Sequence, residues 1–126
     1  MTESAAPKNV RISVKGNEAC EALVSMGLFS TSLEAYRAAM GVALALDLPP
    51  VEDLKLELNK WDTGSVFRDP SCSMEPLLAL MGVPESERVM KGMQLAESGL
   101  KYLNEKRLAN VPLLPVLTGR KSTPGG

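Results

Sequence analysis

Three polar side chains near the start of the chain have the types and the spacing to bind a phosphate backbone. Arg11, Ser13 and Lys15 alternate with apolar residues over residues 10–15, so in a strand they share one face. All three side chains can donate hydrogen bonds to phosphate oxygens. Because no neighbouring stretch offers a hairpin partner, we expect this strand to pair with the same strand of a second copy. Such a two-stranded ribbon can enter a DNA major groove.

A second group of phosphate donors is predicted at the start of the second helix. Its first backbone N–H groups are free to bind an anion, and a cationic side chain lies one turn further on. With Lys8 added from the N-terminal segment, the predicted DNA-binding residues are Lys8, Arg11, Ser13, Lys15, Ser30, Thr31, Ser32 and Arg37.

The commonest catalytic arrangements are excluded by composition. The chain has no histidine, which rules out a His-based zinc site, a Ser-His-Asp triad and a Cys-His pair. Cys20 and Cys72 form no Cys-x-x-Cys motif and are expected to be buried free thiols. Without a phosphate-binding or dinucleotide-binding glycine motif either, we expect no catalytic residues, no metal and no cofactor, and therefore not an enzyme.

The run Asp62-Thr63-Gly64-Ser65 matches an aspartic-protease signature, in which two carboxylates share one water. The context is wrong for that chemistry, since helices are predicted on both sides rather than an apolar strand. We interpret the run as a capping turn, with Trp61 and Phe67 anchoring it to the core.

Capping residues and glycines mark the expected helices. Asn17 is predicted to cap the first helix, which ends at Gly27. Thr31 and Glu34 have capping-box spacing at the start of the second, which runs to Pro49-Pro50. This second helix is apolar on several faces, so other subunits or the rest of the chain must cover it.

Later elements follow from similar signals. Ser73 is predicted to cap a third helix that ends at Gly82, and a fourth helix runs from Pro84 to about Arg107. Two glycines on one face of the fourth helix, Gly92 and Gly99, indicate a close helix approach, since each costs about 1 kcal/mol against alanine.

The expected fold is mainly α, with a short N-terminal strand followed by about four helices in an oligomer. One domain over residues 1–118 is predicted. Its parts are a strand-helix-helix unit at 9–48, a loop region at 49–72 (with 51–60 irregular or extended), a helical hairpin at 73–107, an extended Pro-rich segment at 108–118, and then a flexible tail at 119–126.

The order strand, helix, Gly-Leu corner, helix resembles the ribbon-helix-helix fold of dimeric DNA-binding proteins. More closely, the chain resembles the DndE family of DNA sulfur-modification (phosphorothioation) proteins. The likeness is carried by residues 11–15, Ala19, Leu23, Gly27-Leu28, Ala35, Arg37, Ala38, residues 43–46, Gly99-Leu100 and Leu103. It covers about half the chain. It implies a small oligomer that contacts the DNA backbone and supports partner proteins of the modification machinery.

Charge is unevenly distributed along the chain. The net charge is −1, yet residues 1–16 carry +2 and residues 101–126 carry +4. If the two ends meet in an oligomer they form basic patches suited to phosphate. The alternative is a pair of solvated tails. No run of apolar residues is long enough for a membrane span and no signal peptide is visible, so we expect a cytoplasmic protein.

Three functions are compatible with these features. The leading hypothesis is a DNA-associated accessory protein of a DNA modification (phosphorothioation) or defence system, acting as a homo-oligomer with DNA and other modification proteins as partners. The alternatives are a ribbon-helix-helix transcriptional regulator or antitoxin, and a helical scaffold that binds only protein.

Overall fold

The computed structural model of the protein describes residues 9–51, 55–67, 75–110 and 112. Within them the chain is mainly helical, as predicted, and it contains one two-stranded sheet in place of the single strand that the sequence predicts. The elements are β1 (Asn9–Ile12), α1 (Val14–Ser25), α2 (Ser32–Ala45), β2 (Leu58–Asp62), α3 (Thr63–Phe67), α4 (Glu75–Leu80), a 3-10 turn (Glu85–Glu87) and α5 (Arg88–Leu108).

The partner of β1 lies in the same chain. β1 pairs antiparallel with β2, and the register places Arg11 opposite Asn59 and Ile12 opposite Leu58. A bulge beside Arg11 leaves Lys60 as the extra residue of β2. The expectation that β1 pairs with a second copy is therefore wrong. Its partner β2 begins at Leu58, inside the segment 51–60 that the sequence predicts to be irregular or extended, and it satisfies backbone groups of β1.

The first helix begins earlier than predicted. Ser13 is its N-cap, and its hydroxyl accepts a hydrogen bond from the Gly16 N–H at 2.9 Å. Asn17, the predicted cap, lies inside the helix. The helix ends as expected, because Gly27 adopts a φ of 80° and the Leu28 N–H donates back to the Leu23 carbonyl.

Helices α2 and α5 form the centre of the core. Tyr36, Ala39 and Met40 of α2 are buried, as are Ala96 and Leu100 of α5. The rest of the same chain thus covers the apolar α2. The sequence required cover either from the rest of the chain or from other subunits.

Both α5 glycines mark close contacts, as their spacing predicted. A Cβ added at Gly99 would lie 2.5 Å from the Ala39 carbonyl carbon, and closer still to its oxygen. A Cβ added at Gly92 would lie 2.6 Å from Phe67 Cζ and closer still to Cε1 of the same ring. The first contact is a helix approach. The second is made by α3, which the sequence did not predict.

The predicted loop at 49–72 is wrong for residues 58–67, which form β2 and α3. The capping-turn interpretation is confirmed: the Asp62 carboxylate accepts a hydrogen bond of 2.6 Å from the Ser65 N–H at the start of α3. Phe67 is fully buried and Trp61 packs half-buried against the core. Contacts of Trp61 and Phe67 with the core stabilise α3, because a helix of 5 residues is not stable through helix propensity alone.

Residues 75–108 contain two helices, α4 and α5, joined by a turn at Gly82 and a short 3-10 turn. Gly82 has a φ of 81°, and the Val83 N–H donates to the Leu78 carbonyl at 3.1 Å. Pro84 precedes the 3-10 turn and α5 ends at Leu108. The predictions for Cys72, Ser73, residues 113–118 and the tail 119–126 concern residues outside the described part of the chain.

Candidate nucleic-acid interface

The outward face of the β1–β2 ribbon carries the polar groups that remain open to solvent. Val10 and Ile12 are buried on the inner face of β1, whereas Arg11 is exposed on the outer face. Its cross-strand partner Asn59 is also exposed, as is the bulged Lys60. The Lys60 ammonium lies 5.5 Å from the centre of the Trp61 ring. The Arg11 guanidinium and the Asn59 carboxamide therefore lie on opposite strands of the ribbon at the same register position, and the ammonium of the bulged residue lies beside the Trp61 ring.

The ribbon rests on an aromatic pair. Trp61 of β2 packs against Tyr36 of α2 with ring centroids 4.9 Å apart and the rings tilted by 52°, a favourable arrangement for two aromatic rings. Since Tyr36 is fully buried, this contact fixes the ribbon on the helical core rather than leaving it as a free hairpin.

Two of the three predicted strand residues do not lie on this ribbon. Lys15 is exposed but sits in the first turn of α1, while Ser13 is the half-buried residue between β1 and α1. The prediction that both continue the polar face of β1 is wrong. The strand ends at Ile12 because the next residue caps a helix instead.

Ser13 donates two hydrogen bonds to the Glu97 carboxylate of α5. Its backbone N–H donates to Glu97 Oε2 at 2.9 Å and its hydroxyl donates to Oε1 at 2.6 Å. Glu97 is only 7% exposed, and its oxygens would lie 2.9 Å from a Cβ added at Gly16. The missing side chain of Gly16 makes room for a carboxylate at the α1 N-terminus, where the helix dipole favours negative charge. Ser13 is therefore an internal linker and not a phosphate donor.

The same carboxylate influences two buried neighbours. Burial raises the pKa of the Cys20 thiol to about 12, with the negative charge of Glu97 adding to the effect. Burial and Glu97 likewise raise the pKa of Tyr36 well above its usual value. Both groups stay neutral at physiological pH, so Cys20 is the buried free thiol that was predicted and has the properties of an inert one.

The predicted phosphate site at the start of α2 is already filled by Glu34. The Glu34 carboxylate accepts a hydrogen bond of 2.9 Å from the Ser30 N–H, and its own N–H donates to the Thr31 hydroxyl at 3.2 Å. This is the predicted capping box, except that Glu34 reaches the amide of Ser30 rather than that of Thr31. Ser32, the first residue of α2, is half-buried. A carboxylate at this end repels an incoming phosphate.

Arg37 is oriented toward the protein. It is half-buried, and its guanidinium donates a hydrogen bond to the Ser65 carbonyl. It thereby joins α2 to α3, which supports the β2–α3 corner. Arg37 therefore holds two elements of the protein together, whereas the sequence predicts that it lies on a DNA-facing surface.

Of the eight predicted residues, only Arg11 and Lys15 are described as exposed cations, and Lys8 lies outside the described residues. The structure adds Asn59 and Lys60, which the sequence interpretation missed. The sequence signal for them was the alternation of leucine with charged residues over 54–58, which leads into β2. Glu97 carried no signal, because a glutamate inside an amphipathic helix is normally solvated.

The described residues contain neither a candidate metal site nor a candidate membrane-spanning helix. In that part of the chain no three His, Cys, Asp or Glu side chains are grouped so as to hold a metal ion. No helix within it is long and apolar enough to cross a membrane.

Comparison with known proteins adds no relative: no family model, curated protein or solved structure matches the chain.

Proposed function

We propose that the protein associates with DNA through the outward face of the β1–β2 ribbon, as an accessory protein of the DNA-modifying kind that the resemblance to the DndE family implies. The observation that carries the proposal is the exposed cross-strand pair of Arg11 and Asn59 beside the bulged Lys60. Arginine and lysine bind phosphates or guanine edges, and asparagine is suited to adenine.

The contact would be small and dominated by the DNA backbone. Lys15, at the start of the adjoining α1, adds one more exposed cation, so a single subunit offers about three charges to phosphate. Each neutralised phosphate contributes about −0.9 to the slope of log affinity against log salt. With a net charge of −1, the rest of the protein provides no general attraction. We therefore expect weak binding by one subunit and tighter binding by an assembly that presents several ribbons.

Fluorescence anisotropy with a labelled duplex tests this proposal. Affinity is measured over a series of salt concentrations for the wild type and for Arg11→Ala combined with Lys60→Ala. The double variant removes two ribbon cations, so the salt slope per bound subunit should fall by about two. Lys91→Ala, which removes one positive charge from α5 and not from the ribbon, is the control and should leave the slope unaltered.

The outcomes separate the candidate functions. Binding that the double variant retains with an unchanged slope places the DNA contact elsewhere and contradicts the proposal. Absence of binding to intact or nicked duplex at low salt contradicts it more broadly and favours the protein-binding scaffold. A ribbon-helix-helix regulator has less support, since its ribbon joins two subunits and β1 here pairs within its own chain.

The scaffold alternative has one specific observation in its favour. Leu77, Leu80 and Met81 project from α4 and the turn after it with large exposed fractions. Grouped apolar side chains of this kind are typical of surfaces that bind protein.

A further inference from the structure

We propose that the protein associates with itself head to tail, the apolar surface of α4 in one copy packing against the C-terminal end of α5 in the next. The first surface, here called the acidic ridge, consists of Leu77, Leu80 and Met81 with the neighbouring Glu85 and Glu87. The second, here called the basic tip, consists of Lys101, Lys106 and Leu108.

The acidic ridge is built by one short helix. Leu78 is fully buried and holds α4 on the core, while Leu77, Leu80 and Met81 occupy positions i, i+3 and i+4 and are exposed. Leu80 is 85% exposed. The 3-10 turn that follows carries the exposed Glu85 and Glu87. Two exposed carboxylates thus follow the apolar strip within a few residues of the chain, and a partner surface that is both apolar and basic would match this composition.

The basic tip has that composition. Leu108 is 66% exposed at the end of α5. Lys101 is exposed, and the Lys106 ammonium lies 5.2 Å from the centre of the Tyr102 ring. Residues 101–110 contain a single carboxylate, that of Glu105, against three cations. The tip therefore complements the ridge in both charge and hydrophobicity.

Geometry requires the two surfaces to come from different copies. The ridge lies at the N-terminal end of α5, where the Arg88 guanidinium donates to the Val83 carbonyl. The tip lies at the other end of the same 21-residue helix, which is about 31 Å long at 1.5 Å per residue. The middle of α5, from Leu95 to Leu100, is buried. Ridge and tip thus lie at opposite ends of α5 within one molecule.

Charge also decides between head-to-tail and head-to-head contact. Two ridges facing each other would bring the Glu85 and Glu87 carboxylates of both copies together, which costs free energy. Ridge against tip places these carboxylates near Lys101 and Lys106. A head-to-tail contact uses two different patches, and this property makes it testable by mixing variants.

Sedimentation velocity of the full chain in the absence of DNA is the experiment. The wild type should show concentration-dependent association that weakens as salt is raised. Leu80→Lys should increase the dissociation constant about tenfold or more, as loss of one buried leucine implies. Lys101→Glu with Lys106→Glu should have a similar effect. Leu46→Lys, the same change at an exposed leucine after α2, is the matched control and should associate like the wild type.

The decisive sample is an equimolar mixture of the ridge variant and the tip variant. At a concentration where each variant alone is monomeric, the intact tip of the first can still bind the intact ridge of the second, so the mixture should form a 1:1 complex and nothing larger. Circular dichroism establishes that each variant is folded, and the single Lys101→Glu replaces the double change if it is not.

Several results would overturn the inference. These are a monomeric wild type at all concentrations and salts, a tip variant that still self-associates through its ridges, a mixture that remains monomeric, or a control that fails like Leu80→Lys. The inference deepens the proposed function, because a head-to-tail assembly would place several ribbons on one duplex. Association is measured without DNA, and DNA binding is measured with Arg11 and Lys60 variants, so failure of one proposal is distinguishable from failure of the other.

Discussion

Gly99→Ala should destabilise the protein although alanine is the better helix former. In the middle of α5, alanine gains about 1 kcal/mol over glycine from backbone entropy. The new Cβ, however, would lie 2.5 Å from the Ala39 carbonyl carbon and 3.0 Å from its Cα. Ordinary contact between carbon atoms is about 3.5 Å or more, so α2 and α5 must separate by about 1 Å at their closest point.

The cost of that separation exceeds the gain. Both helices are packed along the buried core, and overpacking a well-packed site costs about 1–3 kcal/mol, or more where backbone must move. The added Cβ would overlap backbone atoms of Ala39, so we take the upper end of this cost range. After subtraction of the gain in helix propensity, we expect a net loss of about 2 kcal/mol in the free energy of unfolding. For a domain of this size that lowers Tm by about 8 °C.

Gly41→Ala supplies the matched control. Gly41 lies inside α2, and a Cβ added there would meet nothing within 4 Å. The same substitution should therefore raise the free energy of unfolding by up to about 1 kcal/mol. Urea unfolding followed by circular dichroism measures both variants. A Gly99→Ala protein as stable as Gly41→Ala would refute the close approach of α2 and α5.

Three further predictions concern the buried carboxylate, the thiol and the β2–α3 corner. Glu97→Gln should lower the free energy of unfolding by about 2 kcal/mol, because an NH2 group replaces one of the two carboxylate oxygens that accept hydrogen bonds from the N–H and the hydroxyl of Ser13; an unchanged urea midpoint contradicts this. In a Cys72→Ser background, Cys20, with its pKa raised to about 12, should react with a thiol reagent at about pH 8 only after denaturation, and fast reaction of the native protein contradicts its burial. The hydrogen bond from the Ser65 N–H lowers the pKa of Asp62, so its stabilising effect is present above the unfolded value of about 3.9 and is lost as pH falls through the lower folded value. The stability difference between wild type and Asp62→Asn should vanish in that acid range, and a difference independent of pH would assign it to something other than the charge.

Local chemistry made much of the helical part predictable. Gly27 and Gly82 adopt the left-handed conformation that ends a helix, and the capping box of α2 forms. Each of these features involves residues a few positions apart. The turn at Asp62 was predictable for the same reason, since its carboxylate binds an amide three residues later.

The candidate interface was predicted only in part, because it depends on a distant pairing. The polarity of Arg11 is visible in the alternation of residues 10–15, but Asn59 and Lys60 become its neighbours only through the β1–β2 register. The predicted donors at the start of α2 were misjudged for a different reason. The capping-box spacing of Thr31 and Glu34 already predicts that the Glu34 carboxylate lies at this helix terminus, where it repels a phosphate.

By itself the sequence determined a mainly helical chain, the ends of its helices and the positions where two elements approach closely, because helix period, capping and glycine act over a few residues. Only the tertiary structure decided that β1 ends at Ile12. There Ser13 meets the buried Glu97 of α5, whose carboxylate and helix dipole together stabilise the start of α1. No local rule predicts that meeting, because the two residues are brought together by packing of the whole core.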